Sequence, residues 1–417
     1  MPCACQSSQF LEGNEPEPMA SNARVKLIRY LLPVIDPATQ HWSRESRLIR
    51  WLTLVWLSIG LITLFSASYP VALAETGIGW RFLAIQLLWV FLGLNLFNWI
   101  VRQPITSLIR LSGIAFFVLI GLLFLTLIPA LGVTINGATR WLALGPFLIQ
   151  PSELLKPLLV LQAARLFGRW PQLSWSTRGW WIGLFAIAIA AILLQPNLST
   201  AAICGLSVWL VALAAGLPYR LLLGTAMTGL TTALVSLSAN AYQRERITAF
   251  LNPWADPMGN GYQLIQSLLA IGSGGWLGSG LGLSEQKLDF LPIQYTDFIF
   301  SVYAEEFGFI GGLFLLTLLM SYATLATLVA MRIQHPIHRL IAIGAMVLLV
   351  GQSLLNIGVA VGALPTTGLP LPLFSYGGSS MIASLAIAAL LTRVAREVNT
   401  DNVVSLPLGQ PLSKPQA

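Results

Sequence analysis

The chain has 417 residues, 56% of them hydrophobic and 9% charged, whereas an ordinary soluble domain carries roughly a quarter charged residues. That deficit excludes a soluble globular fold and places most of the chain in lipid. The formal net charge of +7 is topological, because no basic patch interleaved with aromatic residues accompanies it, so nucleic acid is excluded as a partner.

Residues 1–50 are predicted to be a cytoplasmic tail; charges precede any apolar run, unlike a cleavable signal peptide. Apolar runs of about 20 residues, the length that crosses the hydrocarbon core as a helix, then recur to residue 391. They predict ten spans: 52–74, 82–101, 111–133, 151–168, 179–195, 199–217, 221–239, 304–330, 340–364 and 377–392. The fold class is therefore an all-α polytopic membrane protein, with a membrane domain over 51–396 and a cytoplasmic tail over 397–417. The runs lack the ten-residue alternation of a transmembrane β-barrel. With the N-terminus inside, 17 of the 23 Lys and Arg residues fall in or beside cytoplasmic segments, which places both termini in the cytoplasm. Three segments then lie outside: 134–151, 364–378 and a large loop over 240–303.

Several chemistries are disfavoured. Cys3, Cys5 and Cys204 offer no disulfide framework. His41, His335 and His338 are all cytoplasmic and form no cluster with zinc-ligand spacing. No Ser–His pairing falls on the outer face, against a serine hydrolase. The stretch Gly272–Gly282 has no following Lys-Ser/Thr and reads as a tightly folded outer loop rather than a phosphate loop.

Seven of the sixteen acidic residues lie between 245 and 306. Asp297, in YTDFIF, is crowded by apolar neighbours, and desolvation there suits a general base; on the residues alone, catalysis and a solvated loop stand even. Glu305 and Glu306 are read as opening the eighth helix, where acids complement the dipole. Glu153 and Lys156 are spaced i,i+3 and can form an ion pair or take part in substrate passage. Arg140 can meet a phosphate or anchor its loop at the interface. These features fit a transporter, or an enzyme acting on a lipid-linked or extracytoplasmic substrate.

Five motifs narrow the choice: NGATRWLALGPFLIQPSELLKP from Asn136, QPNLST from Gln195, YQRERITAFLNPWADPMGNGYQLIQSLLAIGSGG from Tyr242, LGLSEQKLDFLPIQYTDFIFSVYAEEFG from Leu281 and NIGVAVGALPTTGLPLPLFSYGGSS from Asn356. In this order they resemble the FtsW/RodA (SEDS) family over about residues 50–396, and the LSEQKLDFLP run is more similar to its FtsW division branch than to its RodA elongation branch. The resemblance implies a peptidoglycan glycosyltransferase polymerising lipid II on the outer face of a bacterial inner membrane, at the division septum, with undecaprenyl diphosphate leaving. It implies Asp297 as catalytic base. Arg140, Arg246 and Lys287, or a divalent cation such as Mg or Mn, would face the diphosphate. Glu153, Lys156, Glu306, Ser375 and Tyr376 are further candidate substrate contacts. It implies no organic cofactor, and as partners a class B penicillin-binding protein and other divisome proteins. A lipid II flippase, a RodA-type elongation glycosyltransferase and a scaffold that activates a partner remain as alternatives. The sequence departs from the family pattern at Asn197 and Ser199, where relatives read QPDLGT, and at Ile293 and Tyr295, where they read LPExHTDF.

Overall fold

The computed structural model describes residues 42–135, 138–145, 147–288 and 290–399. Most of both predicted tails, with Asn136, Gly137, Pro146 and Asp289, lies outside the described residues. Each of the ten predicted spans falls on a helix. In chain order these are α1 (Arg44–Thr76), α2 (Arg81–Arg102), α3 (Ile105–Leu125), α4 (Pro151–Gly168), α5 (Trp175–Leu194), α6 (Leu198–Ala214), α7 (Tyr219–Ala239), α10 (Ile299–Arg332), α11 (Pro336–Ala360) and α12 (Gly378–Ala395). Among the described residues, eight are long and apolar enough to cross a membrane. The other two are α4, which carries Glu153, Lys156 and Arg165, and α6, which has 17 residues.

The helices differ in how they meet their surroundings. The apolar window of α12 is 83% buried and that of α7 only 6%, so α12 is the packed centre and α7 lies at the periphery. Small residues along α12, including Ala383, Ser384, Ala386, Ala388 and Ala389, let neighbours approach closely; in lipid this van der Waals packing is the main force holding helices together.

The third span ends earlier than predicted. α3 stops at Leu125, and the rest of the apolar run forms turns and strand β1 (Gly132–Ile135). Thr126 explains the stop: its hydroxyl donates to Leu123 O (2.7 Å) and accepts from Gln195 Nε2 (2.7 Å), which also donates to Leu123 O (3.1 Å). These bonds satisfy carbonyl and hydroxyl groups that a helix end leaves open. β1 pairs antiparallel with β2 (Ala138–Leu144), and β2 with β3 (Phe147–Ile149). The predicted loop 134–151 is therefore mostly a small sheet.

The long segment before α10 is also structured, with α8 (Ala241–Leu251) and α9 (Tyr262–Ser273). α10 begins at Ile299, so Glu305 and Glu306 lie two turns inside it instead of at its start. The helix breaks just after them at Gly308 (φ 65°, ψ −165°). Freed backbone groups pair with the Gly-rich loop: Ser279 N with Glu305 O (2.9 Å), Gly280 N with Glu306 O (3.1 Å), Phe309 N with Gly275 O (2.9 Å) and Ile310 N with Trp276 O (3.2 Å). A Cβ on Gly278 or Gly308 would stand 2.1 Å or 2.3 Å from the opposing backbone, which explains glycine at both.

Candidate functional site

Asp297 sits at the threshold of α10, on the last turn of a loop whose Ile293 holds a left-handed backbone (φ 56°). A β-branched residue is a genuine outlier there, and such strain concentrates at functional sites. Around Asp297 the chain gathers three elements. α8 brings Arg246, whose guanidinium packs over the Tyr242 ring (4.6 Å). β2 brings Arg140, which donates to Pro196 O (2.6 Å) and Gln195 O (3.3 Å). The third is a strap over 364–376. Arg246 donates to its Thr366 O (3.2 Å).

Gly368 of the strap (φ 67°) stands between the Asp297 carboxylate and the Arg246 guanidinium. A Cβ there would lie 3.4 Å from Asp297 Oδ2 and 3.5 Å from Arg246 Nη1. The cleft is lined by Arg246, Gln263, Asp297, Asn356, Thr366 and Gly368 among others. Among the described residues, no hydrogen bond donor reaches the Asp297 carboxylate. Burial pushes its pKa above the usual carboxylate range, while Arg246 and then Arg140 pull the other way. Burial likewise lowers the pKa of Arg140, with Tyr242 opposing it, Arg246 adding to it and Asp297 opposing it. The result is a half-buried, unengaged carboxylate near two cations: a proton acceptor with positive charge beside it.

Behind the strap runs a polar chain. The expected Glu153–Lys156 pair is present (2.6 Å), with both side chains buried. Lys156 Nζ also donates to Gln352 Oε1 (2.9 Å), and Gln352 Nε2 donates to Pro370 O (2.7 Å). One turn later Asn356 Nδ2 donates to both Asp297 O and Leu369 O (2.8 Å each). Ser375 and Tyr376 hold the strap's other end: Ser375 Oγ donates to Thr296 O (2.6 Å) and accepts from Leu371 N (2.8 Å), and Tyr376 N donates to Tyr295 O (2.9 Å). Tyr376 and Tyr295 form an aromatic cluster with Phe82.

Lys287 and Glu306 occupy a separate position. Lys287 Nζ bonds Glu306 Oε1 (2.7 Å) and Ser66 Oγ (2.8 Å), with both charged side chains almost fully buried. Glu305 accepts from Ser284 Oγ, Glu285 N and Gln286 N. The two glutamates thus clamp the loop 279–287 onto α10. Lys287 also borders a groove of about 730 Å³ between α1 and α2, lined by Leu61, Phe65, Tyr69, Leu83 and Leu87 among others.

Asn197 caps α6 by accepting from Thr200 N (3.2 Å), so the cap that Asp would make is kept without a charge. The residues do not fit a cation site built by the protein. Among the described residues, no three His, Cys, Asp or Glu side chains cluster, and two guanidiniums already face Asp297. No catalytic step is therefore routed through a metal.

Sequence reasoning identified Asp297, Arg140 and Arg246, which the fold brings together. It did not single out Asn356 and Gln263, which line the cleft, or Gln352, which bonds to the strap. The available signal was a carboxamide inside an apolar helix, where an unsatisfied polar group is costly.

The family model described as cell cycle protein, covering FtsW, RodA and SpoVE, matches residues 46–400. A relative from Synechocystis sp., named "Probable peptidoglycan glycosyltransferase FtsW", is 54% identical over 383 residues, covering 92% of this chain and 97% of that protein. A solved structure titled for coordination of polymerization and crosslinking by a peptidoglycan synthase complex is 33% identical, with a TM-score of 0.67 over 84% of this chain and 97% of that one. The Thermus thermophilus rod shape determining protein RodA is 30% identical, with a TM-score of 0.62 over 84% of this chain and 96% of that one. This multi-pass membrane chain belongs to the FtsW/RodA/SpoVE family.

Proposed function

We propose that the chain is a peptidoglycan glycosyltransferase that polymerises lipid II into glycan strands during septal wall synthesis. The observation that carries this reading is the unengaged Asp297 carboxylate, set across Gly368 from Arg246 with Arg140 nearby. In the reaction, the acceptor sugar hydroxyl attacks the donor's anomeric carbon, its proton passes to Asp297, and the bond from that carbon to undecaprenyl diphosphate breaks. Burial strengthens Asp297 as a base. Arg246 and Arg140 supply positive charge where the diphosphate gains negative charge. Lys287, held by Glu306, acts in this reading by fixing the loop.

Orientation follows the positive-inside rule, with both termini cytoplasmic and Asp297 on the outer face of the inner membrane. A class B penicillin-binding protein is the partner this reading requires for crosslinking, with other divisome proteins at the septum. The name of the Synechocystis relative supports the transferase, and the synthase-complex neighbour supports a partner that crosslinks.

The test is reconstitution of the purified protein with its partner transpeptidase in vesicles, with labelled lipid II. Glycan chains on a gel support the transferase. Lipid translocation without polymer turns the reading to a flippase, and neither activity turns it to a scaffold.

A further inference from the structure

α11 is not a uniform helix. Residues Val347–Gly351 form a π-turn, and Gln352 follows at once. A single-residue π insertion rotates everything after it by about 100° relative to an unbroken α-helix. Downstream of that turn, Gln352 and Asn356, one turn apart, both bond to the strap. Gln352 holds Pro370 O and Asn356 holds Leu369 O.

Asn356 does a second thing with the same nitrogen: it donates to the backbone carbonyl of Asp297. Both acceptors are carbonyls, so the amide orientation is fixed by its partners. Its Oδ1 is buried and, among the described residues, has no hydrogen-bond partner, and Asn356 borders the cleft that Asp297 lines. Arg246 holds the same strap from the other side, at Thr366 O. Asp297 and Arg246 are thus both tied to residues 366–369, flanking Gly368.

We propose that Asn356 is a positioning residue for Asp297, with Gln352 as its support, so that α11 sets the distance between the Asp297 carboxylate and the Arg246 guanidinium through the strap. The role rests on the proposed function of Asp297 as base. Gln352 extends the support to Glu153 and Lys156 on α4, which gives that buried pair a place in holding the site.

The test compares Asn356→Leu and Gln352→Leu with the wild type, each purified with the partner transpeptidase, using lipid II polymerisation across pH. Leu keeps the branched shape and heavy-atom number of Asn356, falls one heavy atom short of Gln352, and removes the donors of each. The charged groups facing Asp297 are Arg246 on α8 and Arg140 on β2, and Tyr242 on α8 packs against Arg246 and acts on Arg140. Loosening the strap moves Arg246 away, so the base holds its proton to higher pH. Asn356→Leu should lower kcat roughly 10- to 100-fold, with KM for lipid II within about threefold. It should also move the acidic limb of the pH–rate profile upward, and Gln352→Leu should do the same to a smaller extent. A kcat loss without movement of the limb overturns the positioning role, as does wild-type behaviour. Should Asn356→Leu not fold, the profile of Gln352→Leu decides on the same criterion. Asp297→Asn, run in parallel, separates the two ideas. Polymer from it ends the base reading, whereas an inactive Asp297→Asn beside a wild-type-like Asn356→Leu ends the positioning role alone.

Discussion

Replacing Lys156 by Met removes one partner of a buried ion pair and leaves the Glu153 carboxylate, 3% exposed, without its cation. Breaking such a pair from one side costs about 3–5 kcal/mol, because the remaining charge stays desolvated. Glu153→Leu should cost about as much, since Lys156 would keep only Gln352 as acceptor. The double variant Glu153→Leu, Lys156→Met removes both charges and leaves mainly Gln352 Oε1 unsatisfied, a cost of about 1–3 kcal/mol. The double-mutant cycle should therefore show a coupling energy of roughly 3 kcal/mol or more. Equilibrium unfolding in mixed micelles, followed by tryptophan fluorescence, gives all four stabilities. Single variants within about 1 kcal/mol of wild type, or losses that simply add, would refute the account of Glu153 and Lys156 as a structural pair.

Four other outcomes are expected. Polymerisation should fall as the solution is acidified through the pKa of Asp297, which burial holds above the ordinary carboxylate range of about 4; a pH–rate profile with its acidic limb at or below that range would contradict it. The linkage has the opposite sign: a carboxyl whose folded-state pKa is raised contributes stability below its unfolded pKa that is lost as pH rises through the folded value. Asp297→Asn should therefore melt no lower than wild type at neutral pH, and a lower melting temperature would count against the burial argument. Gly368→Ala should destabilise by about 1–2 kcal/mol, because alanine must adopt a left-handed backbone, and should weaken polymerisation by placing a methyl between Asp297 and Arg246. Wild-type kinetics from Gly368→Ala would show that the gap is not used. Glu305→Ala should release the loop around Ser284–Gln286 and open Lys287 to trypsin in a folded protein; unchanged cleavage would sink the clamp.

The helical bundle was legible in sequence because lipid imposes a simple demand: about 20 apolar residues with every backbone group satisfied internally. The rule fails where a polar side chain intervenes. Thr126 ends α3 with help from Gln195, more than 60 residues away, and the apolar run beyond it becomes strand. The break at Gly308 was likewise invisible, since the Gly-rich loop that pairs with it lies some 30 residues earlier. Glu305 and Glu306 are clamps and not helix-dipole partners because α10 already begins at Ile299 and their carboxylates bond the loop 284–287. Asp297 could be picked out because a carboxylate among aromatic and aliphatic neighbours is conspicuous. Asn356 was not, because its importance lies in bonds to two backbone carbonyls that only the folded strap brings together.

The most direct test of the central claim is lipid II polymerisation by the purified protein with its partner transpeptidase, comparing wild type with Asp297→Asn at matched folding and membrane insertion. The account predicts glycan chains from the wild type and none from Asp297→Asn, and polymer from both would remove Asp297 from the mechanism.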